Sequence, residues 1–230
     1  MGYLNFRGVS TATLNVYVAK FPSHKKPGMR HTEYTIPGRD GSVHIDEGYE
    51  SFEIVAYLIL KGVSAANRQV IDAWADGTGK LITSDDPSKC YMASVKKAVE
   101  WTRDEVGGVF YDTAKITFNC QPFMYESTDR IITVTTNQTI ANIGNVVSRP
   151  LIKVYGNGDV DFTINGKEIT IDDMQTAHPV TIDAETGYVY TDAGATSMTG
   201  DMPVFNLGNN SVTIGENVTK LEINPRWGWV

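Results

Sequence analysis

Tyr34-Thr35-Ile36-Pro37-Gly38-Arg39-Asp40-Gly41 places two turn-forming dipeptides, Pro37-Gly38 and Asp40-Gly41, side by side. Proline presets φ for the first turn position, and glycine accepts the positive φ that the next position needs. Strand-like stretches flank them, Glu33 to Ile36 before and Ser42 to Ile45 after. The segment therefore predicts a β-hairpin with a firm tip.

Working outward, strands dominate the first half. Thr13 to Ala19 alternates, with Leu14, Val16 and Val18 expected inward. Phe21 to Arg30 holds prolines, a glycine and basic residues and reads as an exposed loop. Phe52 to Leu60 is nearly continuous apolar and predicts a central strand covered on both faces. Ser64 to Asp76 predicts the one helix. Ser64 is placed to cap it, Ala66, Val70 and Trp74 are expected on its inward face with Ile71, and Gly77 ends it. Leu81 to Ser84, Tyr91 to Trp101 and Val109 to Asn119 predict more strands, the last two joined at Val106-Gly107-Gly108. One helix against a sheet is an α+β pattern.

After Pro122 the composition shifts to Thr, Asn, Ile and Val, and no helix can be drawn. Val160 to Ile171 predicts a hairpin turning at Asn165-Gly166, a dipeptide suited to the type I′ turn. Thr181 to Thr191 predicts another, through Glu185-Thr186-Gly187. Val204 to Leu207, Ser211 to Gly215 and Lys220 to Ile223 add short strands, a spacing typical of a β-sandwich. Domains cluster at roughly 100–150 residues, so 230 residues predict two of them, a mainly β pair split near Glu126 into 1–126 and 127–230.

The bulk properties exclude several classes. Net charge is −7, the pI is near 5.1, and no run of five like charges occurs. Phosphate binding needs clustered cations, so tight nucleic-acid binding is not expected. The longest strongly apolar run, Ile54 to Leu60, is far short of the roughly 20 residues that span a bilayer, so no membrane segment is expected. The N-terminal stretch lacks the basic and apolar regions of a signal peptide, and Cys90 and Cys120 share no metal-ligand spacing and read as free thiols. Synthesis and folding in a cytoplasm are expected.

Candidate chemistry is sparse. Asp85-Asp86 before Pro87 is better explained as turn chemistry than as a catalytic carboxylate pair. His44 and Asp46 would share a strand face, but no third ligand follows at metal spacing, and His24, His31 and His178 are scattered. No nucleophile elbow, phosphate loop or dinucleotide fingerprint is present. No enzyme activity, cofactor or metal is expected. Trp227 and Trp229 beside Arg226, and Tyr188 with Tyr190, could stack on sugar rings; packing inside the second domain is the reading preferred for both pairs.

The ordered set of these signals resembles a known family. It runs from Tyr3-Leu4-Asn5-Phe6-Arg7-Gly8, through Ile36-Pro37-Gly38-Arg39-Asp40-Gly41 and Gly48-Tyr49, to the helix ending at Trp74. Gly79 to Pro87 then leads to Cys90-Tyr91-Met92-Ala93, and Ala114 to Phe123 closes the first half. Asn142 to Gly144, Arg149-Pro150, Leu151 to Gly156 and Pro225-Arg226-Trp227 follow. This resembles the distal tail protein (Dit) family of phages and prophages with long non-contractile tails.

The resemblance implies a tail-tube-like first domain that forms a hexameric ring and a galectin-like second domain outside it. It implies an adaptor in the virion, at the distal end of the tail, made in the bacterial host cytoplasm. Its partners would be other copies of itself, the tail tube protein, the tail-tip (tail-associated) protein and, in some relatives, a receptor-binding protein; DNA would pass through the channel. A projecting hairpin leaves unpaired backbone edges that a neighbour must cover, so Ile36, Pro37, Gly38, Arg39, Asp40 and Gly41 become the candidate ring-interface residues. The alternatives are a carbohydrate-binding receptor-recognition protein and a tail-tube subunit.

Overall fold

The computed structural model describes residues 2–20, 25–60 and 64–230. The chain divides into two compact units, 1–127 with Val230, and 128–229. It is mainly β; one α-helix is present among the described residues.

The first unit contains β1 (Leu4–Phe6), β2 (Val9–Ser10), β3 (Val16–Lys20), β4 (Met29–Thr35), β5 (Ser42–Tyr49) and β6 (Phe52–Leu60). Helix α1 (Ala65–Trp74) follows, then β7 (Gly77–Thr83), β8 (Lys89–Val95), β9 (Glu100–Val106) and β10 (Val109–Glu126). The main sheet runs β2-β1-β7-β8-β10-β6-β3, with β9 also on β10. On β6 the period-two pattern buries Ile54, Ala56, Leu58 and Leu60. They meet Ala114, Ile116 and Phe118 of β10 in one core. Phe6, Trp74 and Phe118 pack edge to face there, with centroids 5.2–6.1 Å apart. The Trp74 indole N–H donates to the Val9 carbonyl at 3.0 Å, which fastens the helix to β2.

A buried carboxylate ties α1 to the sheet. Asp112 on β10 is almost fully buried, 2.8 Å from Arg103 on β9 and 3.1 Å from Arg68 on α1. The Arg103 hydrogen bond holds its carboxyl below the usual carboxylate range. Further along, β10 shifts register on β8 between Cys120 and Met124. Pro122 lies in that interval and has no N–H for the ladder, so a bulge is the physical outcome.

The second unit has two sheets that share one apolar core. The first joins β11 (Ile132–Val134), β13 (Leu151–Gly156), β16 (Val180–Asp183), β17 (Tyr188–Thr191), β18 (Gly194–Ala195) and β21 (Val218–Asn224), in the order β11-β21-β13-β16-β17-β18. The second joins β12 (Gln138–Asn142), β14 (Gly158–Ile164), β15 (Lys167–Met174), β19 (Thr199–Gly200) and β20 (Gly208–Ile214), in the order β12-β20-β14-β15-β19. Asn165 and Gly166 have φ of +53° and +75°, as the type I′ turn between β14 and β15 requires. Asn210 is fully buried, yet its side chain bonds Asn165 and the backbone of Asn206 and Gly208 at 2.7–3.0 Å. Satisfied in this way, a core amide costs little.

Several expectations need correction. Ser64 makes no side-chain cap bond. The inward face of α1 is Ile71, Trp74 and Ala75, while Ala66 and Val70 face solvent. Tyr91 to Trp101 is not one strand, because β8 ends at Val95 and β9 begins at Glu100. β6 is fully buried on one face only. Thr11–Thr13 forms a 3-10 turn, its first free N–H group bonded by Ser10, so β3 starts at Val16. Val204 to Leu207 forms no strand beyond one bridge, Phe205 to Ser148. Met29 and Arg30 belong to β4 rather than to a loop, and the Phe21 to His24 part of that loop lies outside the described residues.

Candidate assembly surface

Strands β4 and β5 form a two-stranded sheet of their own, and among the described residues neither edge pairs with another strand. At its tip the Arg39 N–H donates to the Ile36 carbonyl at 3.1 Å. Gly38 takes φ +82° behind Pro37, and Gly41 takes +77°. Gly38 thereby fills the third position of a type II turn, which the Pro-Gly pair takes without strain. Ile36, Pro37, Gly38, Arg39, Asp40 and Gly41 are all exposed.

The register gives the hairpin two chemically different faces. His31 pairs with Asp46, and Glu33 with His44; on the other face Thr32 pairs with Ile45, and Tyr34 with Val43. The first face is polar: Ser42 Oγ donates to Glu33, and the His31 and His44 rings meet at 5.6 Å. The second face carries the Thr32 hydroxyl, which donates to the Glu47 carboxylate, and beside it an open apolar patch. Tyr34 and Ile45 are 53% and 52% exposed, with Val43 between them half-buried. At the base, Tyr49 packs on Phe123 at 5.5 Å and the Glu50 N–H donates to the Gly28 carbonyl at 2.9 Å.

A second apolar tip, not foreseen from the sequence, stands where β9 turns into β10. Gly107 and Gly108 both have positive φ there. Val106, Val109 and Phe110 are 65%, 67% and 55% exposed. The signal was available: three large apolar residues flank a Gly-Gly turn, a place where polar residues are usual.

The other candidates resolve differently. Asp85 and Asp86 lie in a tight turn, where Asp86 bonds Ser88 at 2.6 Å and accepts the Lys89 N–H at 3.2 Å. His44 and Asp46 share β5, but no group of three or more potential metal ligands occurs among the described residues. His178 sits 2.6 Å from Asp192 and lines an open cleft of about 260 Å³. Trp227 is 1% exposed and packs on Phe205 at 5.6 Å. Tyr188 and Tyr190, by contrast, are exposed on the outer face of β17, which corrects the expectation that they pack inside. Their neighbour Val189 packs on the core instead, and alternation turns both tyrosines outward. Arg226 grips Asp183 at 2.6 Å and 3.2 Å. Burial is the largest influence and raises that carboxyl, but the Arg226 hydrogen bond and charge, together with the Glu185 and Thr186 N–H groups, leave it below its usual range.

No protein-family model matches the chain. No curated protein matches it either. Solved structures do. The crystal structure of the Dit protein of phage SPP1, described as a paradigm of the hub adsorption apparatus in phages infecting Gram-positive hosts, aligns with a TM-score of 0.74 at 17% identity. That alignment covers 97% of this chain and 98% of the SPP1 chain. The phage p2 baseplate in its activated conformation, solved with Sr and with Ca, aligns with a TM-score of 0.51 at 9% identity over 97% of both chains. Over nearly its whole length, this chain has the fold of a phage distal tail, or Dit, protein.

Proposed function

We propose that this chain is a structural protein of a phage tail tip, a Dit-type hub that closes into a hexameric ring. The observation that carries the reading is the match to the SPP1 Dit protein across 97% of this chain. The unit containing 1–126 would be the tail-tube-like, ring-forming domain, and 127–230 the galectin-like domain outside it. One face of the ring would meet the tail tube protein and the other the tail-tip protein. DNA would cross its channel without being held, which suits a chain of net charge −7. The exposed β4–β5 hairpin supports the ring, because its open edges are a liability until a neighbour covers them. A closed heterologous ring covers one such edge for every subunit. Native mass spectrometry over a concentration series, with electron microscopy of tail particles, tests the reading. Hexamers and a ring at the distal end are expected; a dimer with two-fold symmetry in the particles would overturn it.

A second reading is favoured by one observation, the exposure of Tyr188 and Tyr190 on one sheet face. Paired aromatic rings on a flat face suit sugar stacking. A glycan-array hit lost in Tyr188→Ala would establish it; no hit leaves the hub reading alone.

A further inference from the structure

We infer that the outer face of β16 and β17 takes a neutral pyranose saccharide, held by the Tyr188 and Tyr190 rings and the Thr181 hydroxyl. The inference rests on the second, sugar-stacking reading above and names its ligand class and its third contact. The register lays two rows across this face. One runs Glu222, Lys153, Thr181, Tyr190; the other runs Asn224, Leu151, Asp183, Tyr188. Neighbouring strands lie about 4.8 Å apart, so Thr181 stands directly beside Tyr190. The Tyr188 and Tyr190 side chains and the Thr181 hydroxyl have no hydrogen-bond or ring partner among the described residues. A tyrosine offers a flat apolar ring with a polar tip, and a threonine hydroxyl both donates and accepts. A pyranose matches that set, with a C–H face to stack and hydroxyls around its edge.

Charge selects a neutral ligand. On and beside the two rows, Arg149, Lys153, Lys220 and Arg226 are matched one for one by Asp183, Glu185, Asp192 and Glu222. Glu216 lies at the opposite end of β21. Most of these charges are tied to each other: Lys220 to Glu222 at 2.5 Å, Arg226 to Asp183 at 2.6 Å and to Glu185 at 3.3 Å. Asp192 bonds His178, and the Lys153 ammonium lies 5.4 Å from the centre of the Tyr155 ring. A face without net charge has no field to gather anions or cations, so recognition falls to the rings and the free hydroxyl. A protein partner would seat its aromatic anchors in a packed, desolvated surround. Here the cross-strand neighbours of the two rings are a threonine and an ion-paired aspartate.

The test puts the full-length protein on an array of neutral hexose and N-acetylhexosamine oligosaccharides, printed beside uronate and sugar-phosphate glycans. Titration calorimetry with the strongest neutral glycan follows, at low and at high salt. A neutral glycan should bind with the same affinity at both. Tyr188→Ala and Tyr190→Ala should each weaken it at least about tenfold. Thr181→Val keeps the side-chain shape and removes the hydroxyl, and should weaken it about fivefold. All three positions lie on the outer face, so native circular dichroism spectra are expected. Tyrosine-dependent binding of an acidic glycan, lost as salt rises, would overturn the neutral ligand and leave the sugar reading standing. Neutral-glycan binding that Thr181→Val leaves unchanged would overturn the three-group recognition, again without touching the sugar reading. No glycan bound at the highest soluble concentration, or a hit indifferent to both tyrosine changes, would overturn the inference and the sugar reading together and leave the hub reading intact.

Discussion

At the scale of single residues, Asp112 is a buried carboxylate of the first unit. Its carboxylate joins α1, β9 and β10 through Arg68 and Arg103. Replacing it by alanine leaves two partly exposed arginines facing a buried gap, so a loss of about 1–3 kcal/mol is expected, read by urea unfolding. Its native pKa lies below its unfolded value. The stabilisation is therefore complete above the unfolded value, near 3.9, and is lost as pH falls through the native one. The acid limb of the stability profile should flatten in Asp112→Asn. In the other direction, burial raises the Cys120 thiol to about 12, and Cys90 is buried as well. The thiolate is the reactive form, so a thiol reagent at pH 8 should label neither cysteine until the protein unfolds. Fast labelling of Cys120 in the native state would contradict this. Trp227→Ala should cost about 3–5 kcal/mol of stability, measured by the same urea titration, because a large ring leaves a cavity on Phe205.

At the scale of elements, the β4–β5 hairpin is an autonomous two-stranded sheet whose tip lies outside both cores. Replacing Pro37 to Gly41 by a short neutral turn should leave the circular dichroism spectrum unchanged and weaken self-association. A loss of native signal would mean that the hairpin holds its own unit together. This element is legible in the sequence because Pro37-Gly38 forces a turn chemistry that few other structures use. The Asn165-Gly166 hairpin is legible for the same reason. The face of α1 is not, because a spacing of four overshoots the helical turn by about 40° at each step. Ala66 and Val70 therefore drift away from the core while Ile71, Trp74 and Ala75 share it. On β17, alternation separates Val189 from Tyr188 and Tyr190 but does not say which side is the core; the pairing partners decide that. The apolar β9–β10 tip is half legible: the Gly107-Gly108 turn marks Val106, Val109 and Phe110 as a tip, but only the sheet shows that they are exposed.

At the scale of the whole molecule, the proposed ring would be a conduit for DNA. A conduit for a genome should not hold phosphates. A protein that did would bind duplex DNA tightly at low salt and lose affinity steeply as salt rises. With a net charge of −7, fluorescence anisotropy with labelled duplex should show no binding at low ionic strength. Sub-micromolar, salt-sensitive binding would expose a concentrated basic patch and end the conduit argument. Ring closure itself is the more direct question. Cryo-electron microscopy of tail particles carrying this protein, refined without imposed symmetry at the distal end, answers it. The account predicts a closed ring of identical subunits in which each Ile36 to Gly41 tip meets the neighbouring copy. A two-fold dimer, or a ring in which every tip points into solvent, would contradict it.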